Sequence, residues 1–69
     1  MGSWIPLKSS NLKSMQYDGV RRSLSVEFLS GKVYIYDEVP EGVATGLQNA
    51  PSHGKYFTQN IKNSYSFRR

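Results

Sequence analysis

Across residues 23–29 every second side chain is apolar: Leu24, Val26 and Phe28 alternate with Ser23, Ser25 and Glu27. A period of two sends these sets to opposite faces of an extended chain, so the segment reads as a half-buried antiparallel strand. Ser30-Gly31-Lys32 closes a hairpin onto a second strand over residues 33–37. There Val33 and Ile35 share one face and Tyr34 and Tyr36 share the other. With both faces apolar or aromatic, one is expected to pack on helices, and the other to be covered by the N-terminal arm or to serve as a binding surface. Upstream, residues 11–17 form the strand that pairs across the Asp18-Gly19 turn, which Val20, Arg21 and Arg22 extend. Leu12 and Met15 cannot both face inward on a regular strand, which places a bulge near Lys13-Ser14.

The pattern changes after Val39-Pro40. Pro40 and Glu41 suit the first turn of a helix, where a missing N–H costs nothing and a negative charge is favoured. Val43, Leu47 and Ala50 then recur at i, i+4 and i+7, one helical stripe. Gly42 and Gly46 each weaken such a helix by ~1 kcal/mol relative to Ala, so it is expected to be short, with Pro51 ending it. Ser52 suits an N-cap for a second helix over residues 53–62, with Phe57 and Ile61 as its apolar pair and Tyr56 beside them. Asn63-Ser64 breaks that helix, and residues 65–69 read as an extended tail. The apolar arm Trp4-Ile5-Pro6-Leu7 is expected to run extended and cover a sheet edge. The fold class is therefore α+β: a three-stranded antiparallel meander followed by two short helices packed on one face. Residues 1–8 form the arm and residues 9–69 a single domain.

A chain of 69 residues has little interior to work with, and no cysteine is available to supplement it. Five Tyr, three Phe and one Trp must supply much of the burial. No apolar run approaches the ~18 residues of a membrane span, and residues 1–7 lack a secretory pattern, so a soluble, cytoplasmic protein with no membrane partner is expected.

Charge is unevenly placed. In residues 1–41 Lys8, Lys13, Arg21, Arg22 and Lys32 are balanced by Asp18, Glu27, Asp37, Glu38 and Glu41. Residues 42–69 carry Lys55, Lys62, Arg68 and Arg69 with no carboxylate, together with Tyr56, Phe57, Tyr65 and Phe67, so the net charge of +4 lies in this stretch. Cations interleaved with flat rings suit a nucleic acid. Lys55, Lys62, Arg68 and Arg69 are the expected phosphate contacts, with Lys55 and Lys62 two turns apart on one helix face. Tyr34 and Tyr36, with Lys32 nearby, or Tyr56, are the expected stacking rings, although small domains also use tyrosines as core. Ser52-His53-Gly54-Lys55 opens a helix and is a second candidate, for a small phosphate; its ordinary reading is a cap, a close-packed glycine and a solvated lysine.

Catalysis and metal binding find little support. His53 is the only imidazole and there is no cysteine, so no Cys–His pair or thiolate site exists. Asp37 and Glu38 are neighbours in an extended segment and point apart, which does not suit paired acid–base work. The expectation is a non-enzymatic domain with no cofactor.

The chain also resembles the KTSC domain, a short module found alone in bacterial and phage proteins and at the C-terminus of some lysyl-tRNA synthetases. The resemblance is carried by Ser9-Ser10-Asn11-Leu12, Tyr17-Asp18, the strand from Leu24 to Phe28, the Tyr-x-Tyr of Tyr34-Ile35-Tyr36, and Val39-Pro40. It continues through Ala50, Ser52, Gly54-Lys55-Tyr56-Phe57, Asn60-Ile61 and Tyr65. It implies no catalysis and, through its attachment to a tRNA-charging enzyme, suggests RNA binding. Three functions are thus expected in competition: binding of RNA or single-stranded nucleic acid, interaction with a host or partner protein through the Trp4 arm, or capture of a nucleotide or small phosphate at residues 52–55.

Overall fold

The computed structural model describes residues 4–68. Its elements are β1 (Ile5–Pro6), β2 (Leu12–Asp18), β3 (Ser23–Phe28), β4 (Val33–Tyr36), α1 (Glu41–Asn49), α2 (His53–Asn60) and β5 (Phe67–Arg68). The strands form one sheet in the order β1-β2-β3-β4-β5, each antiparallel to its neighbour. The α+β class and the β2–β4 meander are as expected. The sheet has five strands, not three, because the arm and the tail each contribute a two-residue edge strand. Pro6 is tolerated there because an edge strand leaves one side of its backbone unpaired.

Pairing puts Leu24 opposite Tyr17 and Tyr36, and Val26 opposite Met15 and Tyr34, so these residues share the face under the helices. The expected bulge is present: pairing passes from Leu12↔Phe28 to Ser14↔Glu27 and skips Lys13. That extra residue lets both Leu12 and Met15 turn into the core, where each is buried. Leu24, Val26, Val39, Leu47 and Ile61 have no exposed surface.

The helices begin and end near their sequence signals. Pro40 is the N-cap of α1, one position before the expected first turn, and Ala44, not Ala50, joins Leu47 as a buried residue of its inward face. Ser52 caps α2, its hydroxyl accepting from the Lys55 N–H at 3.4 Å. Helix α2 ends at Asn60, where the Phe57 carbonyl accepts from both Ile61 N and Lys62 N. Among the described residues no helix is long and apolar enough to cross a membrane.

Gly46 is a packing residue more than a weak point in its helix. The Tyr56 ring lies directly over it, and a Cβ built there falls 2.7 Å from Tyr56 Cζ. Helix propensity alone has Gly46→Ala stabilising by about 1 kcal/mol, whereas overpacking costs about 1–3 kcal/mol. The steric effect is expected to win, so Gly46→Ala lowers the urea midpoint in a chemical denaturation. The same change made on a Tyr56→Leu background raises it.

Candidate functional site

A groove of about 370 Å³ opens on the helix-covered face, between the β3–β4 turn and the end of α2. Phe28, Tyr34 and Phe67 supply its apolar wall, and Lys32, Lys62 and Asn63 are among its polar lining. The wall belongs to a five-ring cluster. Tyr34 and Phe67 are stacked, their ring centres 4.8 Å apart and their planes 3° from parallel. Phe28 lies tilted on Tyr34 at 5.3 Å, and Phe57 presents an edge to both Phe28 and Tyr36 at 5.6 Å. Such tilted, T-shaped and offset arrangements suit the ring quadrupoles, so each contact adds attraction beyond the apolar area it buries. Its outermost member, Phe67, is 49% exposed.

The groove gathers some of the expected site residues and separates others. Tyr34 is half-buried at the wall and Lys62 is exposed at the rim. Lys62 lies beyond the end of α2, so it does not share a helix face with Lys55. Lys55 belongs to an adjacent shallow depression with Ser9, Ser10, Ser52 and Gln59, which shares Asn11, Gly54 and Thr58 with the groove.

Three expectations are corrected. Tyr36 is core: it is 2% exposed, with Phe57 and Phe67 already against its ring, and no base can stack on it. Burial pushes its phenol above the usual tyrosine range, and Tyr34 adds to the effect. Tyr56 packs over Gly46 and joins the two helices instead of facing a ligand. Arg68 is not a free phosphate contact. It pairs with Ile35 on the face opposite Phe67, and its Nε and Nη2 donate to Asp37 Oδ2 and Oδ1 at 3.3 and 3.4 Å. The carboxyl-terminal cations therefore do not form one patch. Arg69 lies outside the described residues.

The segment 52–55 is mostly occupied with holding the fold. His53 Nδ1 accepts from Lys8 N at 2.9 Å, and its Nε2 lies 3.2 Å from Gln48 O. The ring in its Nε2–H tautomer satisfies both contacts, tying the arm to α1 and α2 and leaving neither nitrogen for an anion or a serine. A Cβ on Gly54 would fall 2.8 Å from Ser9 Oγ, which itself accepts from Asn11 N and Leu12 N. Gly54 is thus required where the β2 entry crosses α2. Lys55 is exposed and its side chain takes part in no described ion pair, while the exposed Ser52 is used as the cap.

Sequence reasoning missed Phe67 and Asn63 as site residues, and gave Lys32 only a supporting place. The ion pairs among the described residues are Lys13–Glu27 and Arg68–Asp37, so Lys32 and Lys62 are uncompensated by a salt bridge. Among the described residues no carboxylate lines the groove.

An antiparallel sheet with two helices on one face, carrying a ring-walled groove with Lys32 and Lys62 in its lining, defines a small α+β domain. The chain belongs to the KTSC domain family, which matches residues 8–65. It is 40% identical over 60 residues to a lysine–tRNA ligase of Nostoc punctiforme, covering 87% of this chain and 11% of the ligase. The chain thus spans about a ninth of that enzyme. It is 43% identical over 58 residues to an uncharacterised protein of Stutzerimonas stutzeri, covering 84% of this chain and 82% of that protein. Its fold is that of the crystal structure of a KTSC domain protein from Yersinia pestis, with TM-score 0.94 at 30% identity, over 100% of this chain and 97% of that one.

Proposed function

We propose that this KTSC domain is a non-enzymatic module that binds single-stranded nucleic acid, RNA in preference, at the aromatic groove. The observation that carries the proposal is the position of two lysines with no ion pair among the described residues, Lys32 and Lys62, on a groove walled by Phe28, Tyr34 and Phe67. Single-stranded nucleic acids are held by this combination: cations neutralise phosphates while rings stack on bases. Similarity to lysine–tRNA ligases favours RNA over DNA as the polyanion. Lys55, in the adjoining depression, extends the basic surface along the strand's path.

Three lysines neutralising phosphates of a single strand give a log–log salt slope of about −2. The test is fluorescence anisotropy with a labelled single-stranded RNA at several salt concentrations. Charge reversal at two exposed sites, Lys32→Glu with Lys62→Glu, is expected to weaken binding by about tenfold or more, by loss of attraction and added repulsion. Binding that ignores both salt and the double reversal would rule out this groove as the nucleic-acid site.

A further inference from the structure

Resting on that reading, we propose that the groove is a single-nucleotide site: it takes one unpaired base against the exposed ring of Phe67, which Tyr34 backs, with the flanking phosphates reaching Lys32 and Lys62. Size is the first argument. At about 370 Å³ the groove lies near the lower end of the ~300–1,000 Å³ range of ligand pockets, and suits one base with its sugar better than a run of bases.

The supply of rings is the second argument. The tyrosines are all engaged: Tyr34 lies against Phe28 and Phe67, Tyr36 is core, Tyr17 donates to Val39 O, Tyr56 covers Gly46 and Tyr65 packs on the core. Outside the groove the exposed large apolar side chains among the described residues are Trp4, Val20 and Leu29. Trp4 is the only ring among them, and it lies beside the arm strand, at the opposite edge of the sheet from β5. Among the described residues a second base therefore has no neighbouring ring platform.

Polar groups complete the site. Lys32 comes from the β3–β4 turn and Lys62 from the residues after α2, so positive charge enters from two separate segments. Asn63 lines the same groove, and its amide offers both a donor and an acceptor to a base edge.

The test compares three short RNAs of equal length by amide chemical-shift titration: a trinucleotide of adenosines, one with a single central adenosine between abasic sites, and one wholly abasic. The one-base probe is expected to bind within about threefold of the full trinucleotide, shifting Lys32, Asn63 and Phe67, and at least about fivefold more tightly than the abasic probe. Phe67→Leu, which keeps an apolar residue in β5, and Lys62→Gln, which alters only an exposed charge, are each expected to weaken the one-base probe. If the full trinucleotide binds more tightly than the one-base probe by about fivefold or more, several bases stack: the single-nucleotide site is wrong and RNA binding stands. If the abasic probe binds equally well, phosphate alone is recognised and the inference again fails. If none of the three binds, nor any longer RNA, the function proposed above falls with it.

Discussion

Removing residues 1–7 is expected to lower the unfolding free energy by about 3 kcal/mol, a large share of the ~3–10 kcal/mol available to a domain of this length. Leu7 is a core residue, and its burial contributes about 1.5–3 kcal/mol by itself. Ile5 packs half-buried against the core and sits opposite Met15. The Leu7 N–H donates to Lys13 O at 3.0 Å, so the arm also satisfies the edge of β2. Without it, Met15 and Ser14 lose cover and the longest strand of the sheet becomes an open edge. Urea denaturation followed by circular dichroism measures the loss. A truncated chain with an unchanged midpoint would return the arm to the role of a detachable partner-binding segment, and with it the protein-interaction reading of Trp4. Leu7→Ala alone is expected to account for more than half of the effect.

The parts of this fold that were legible in the sequence are those with a repeating pattern. Leu24, Val26 and Phe28 mark β3 by alternation, and the conflict between Leu12 and Met15 marks the bulge in β2. Pro40, Pro51 and the Ser52 cap delimit the helices. The arm and the tail read as extended, and the arm as covering a sheet edge, but neither read as a paired strand, because two residues have no period and β1 and β5 depend on finding an edge to pair with. The site suffered from the same gap. Alternation puts Tyr34 and Tyr36 on one face but does not tell how far along the strand the helices reach, so Tyr36 was indistinguishable from a displayed ring. Without β5 its parity was unknown, and that parity decides that Phe67 turns toward Tyr34 while Arg68 turns to Asp37. A count of charges in the last third could not anticipate that an acid from β4's end would neutralise one of them. His53 shows the converse limit: nothing local reveals that Lys8, 45 residues away, uses its Nδ1.

Phe57→Ala is expected to abolish the cooperative unfolding transition at room temperature. Phe57 is 4% exposed and meets Phe28 and Tyr36 edge-on, holding α2 against β3 and β4. Truncating a buried Phe to Ala costs about 3–5 kcal/mol, comparable to the whole stability of a small domain. Phe57→Leu keeps most of the volume but loses both ring–ring contacts, each worth about 0.5–1.5 kcal/mol, so it is expected to fold with a lowered melting temperature. Near-ultraviolet circular dichroism and the sharpness of a urea transition separate the two variants. If Phe57→Ala unfolds cooperatively within about 1 kcal/mol of the parent, the rings do not hold α2 in place. The same geometry dictates how the groove is to be probed. Phe57 and Tyr36 belong at once to its wall and to the core, so substituting them confounds binding with unfolding. Lys32, Lys62 and Phe67 stand on the exposed side of the cluster, where binding responds before stability does.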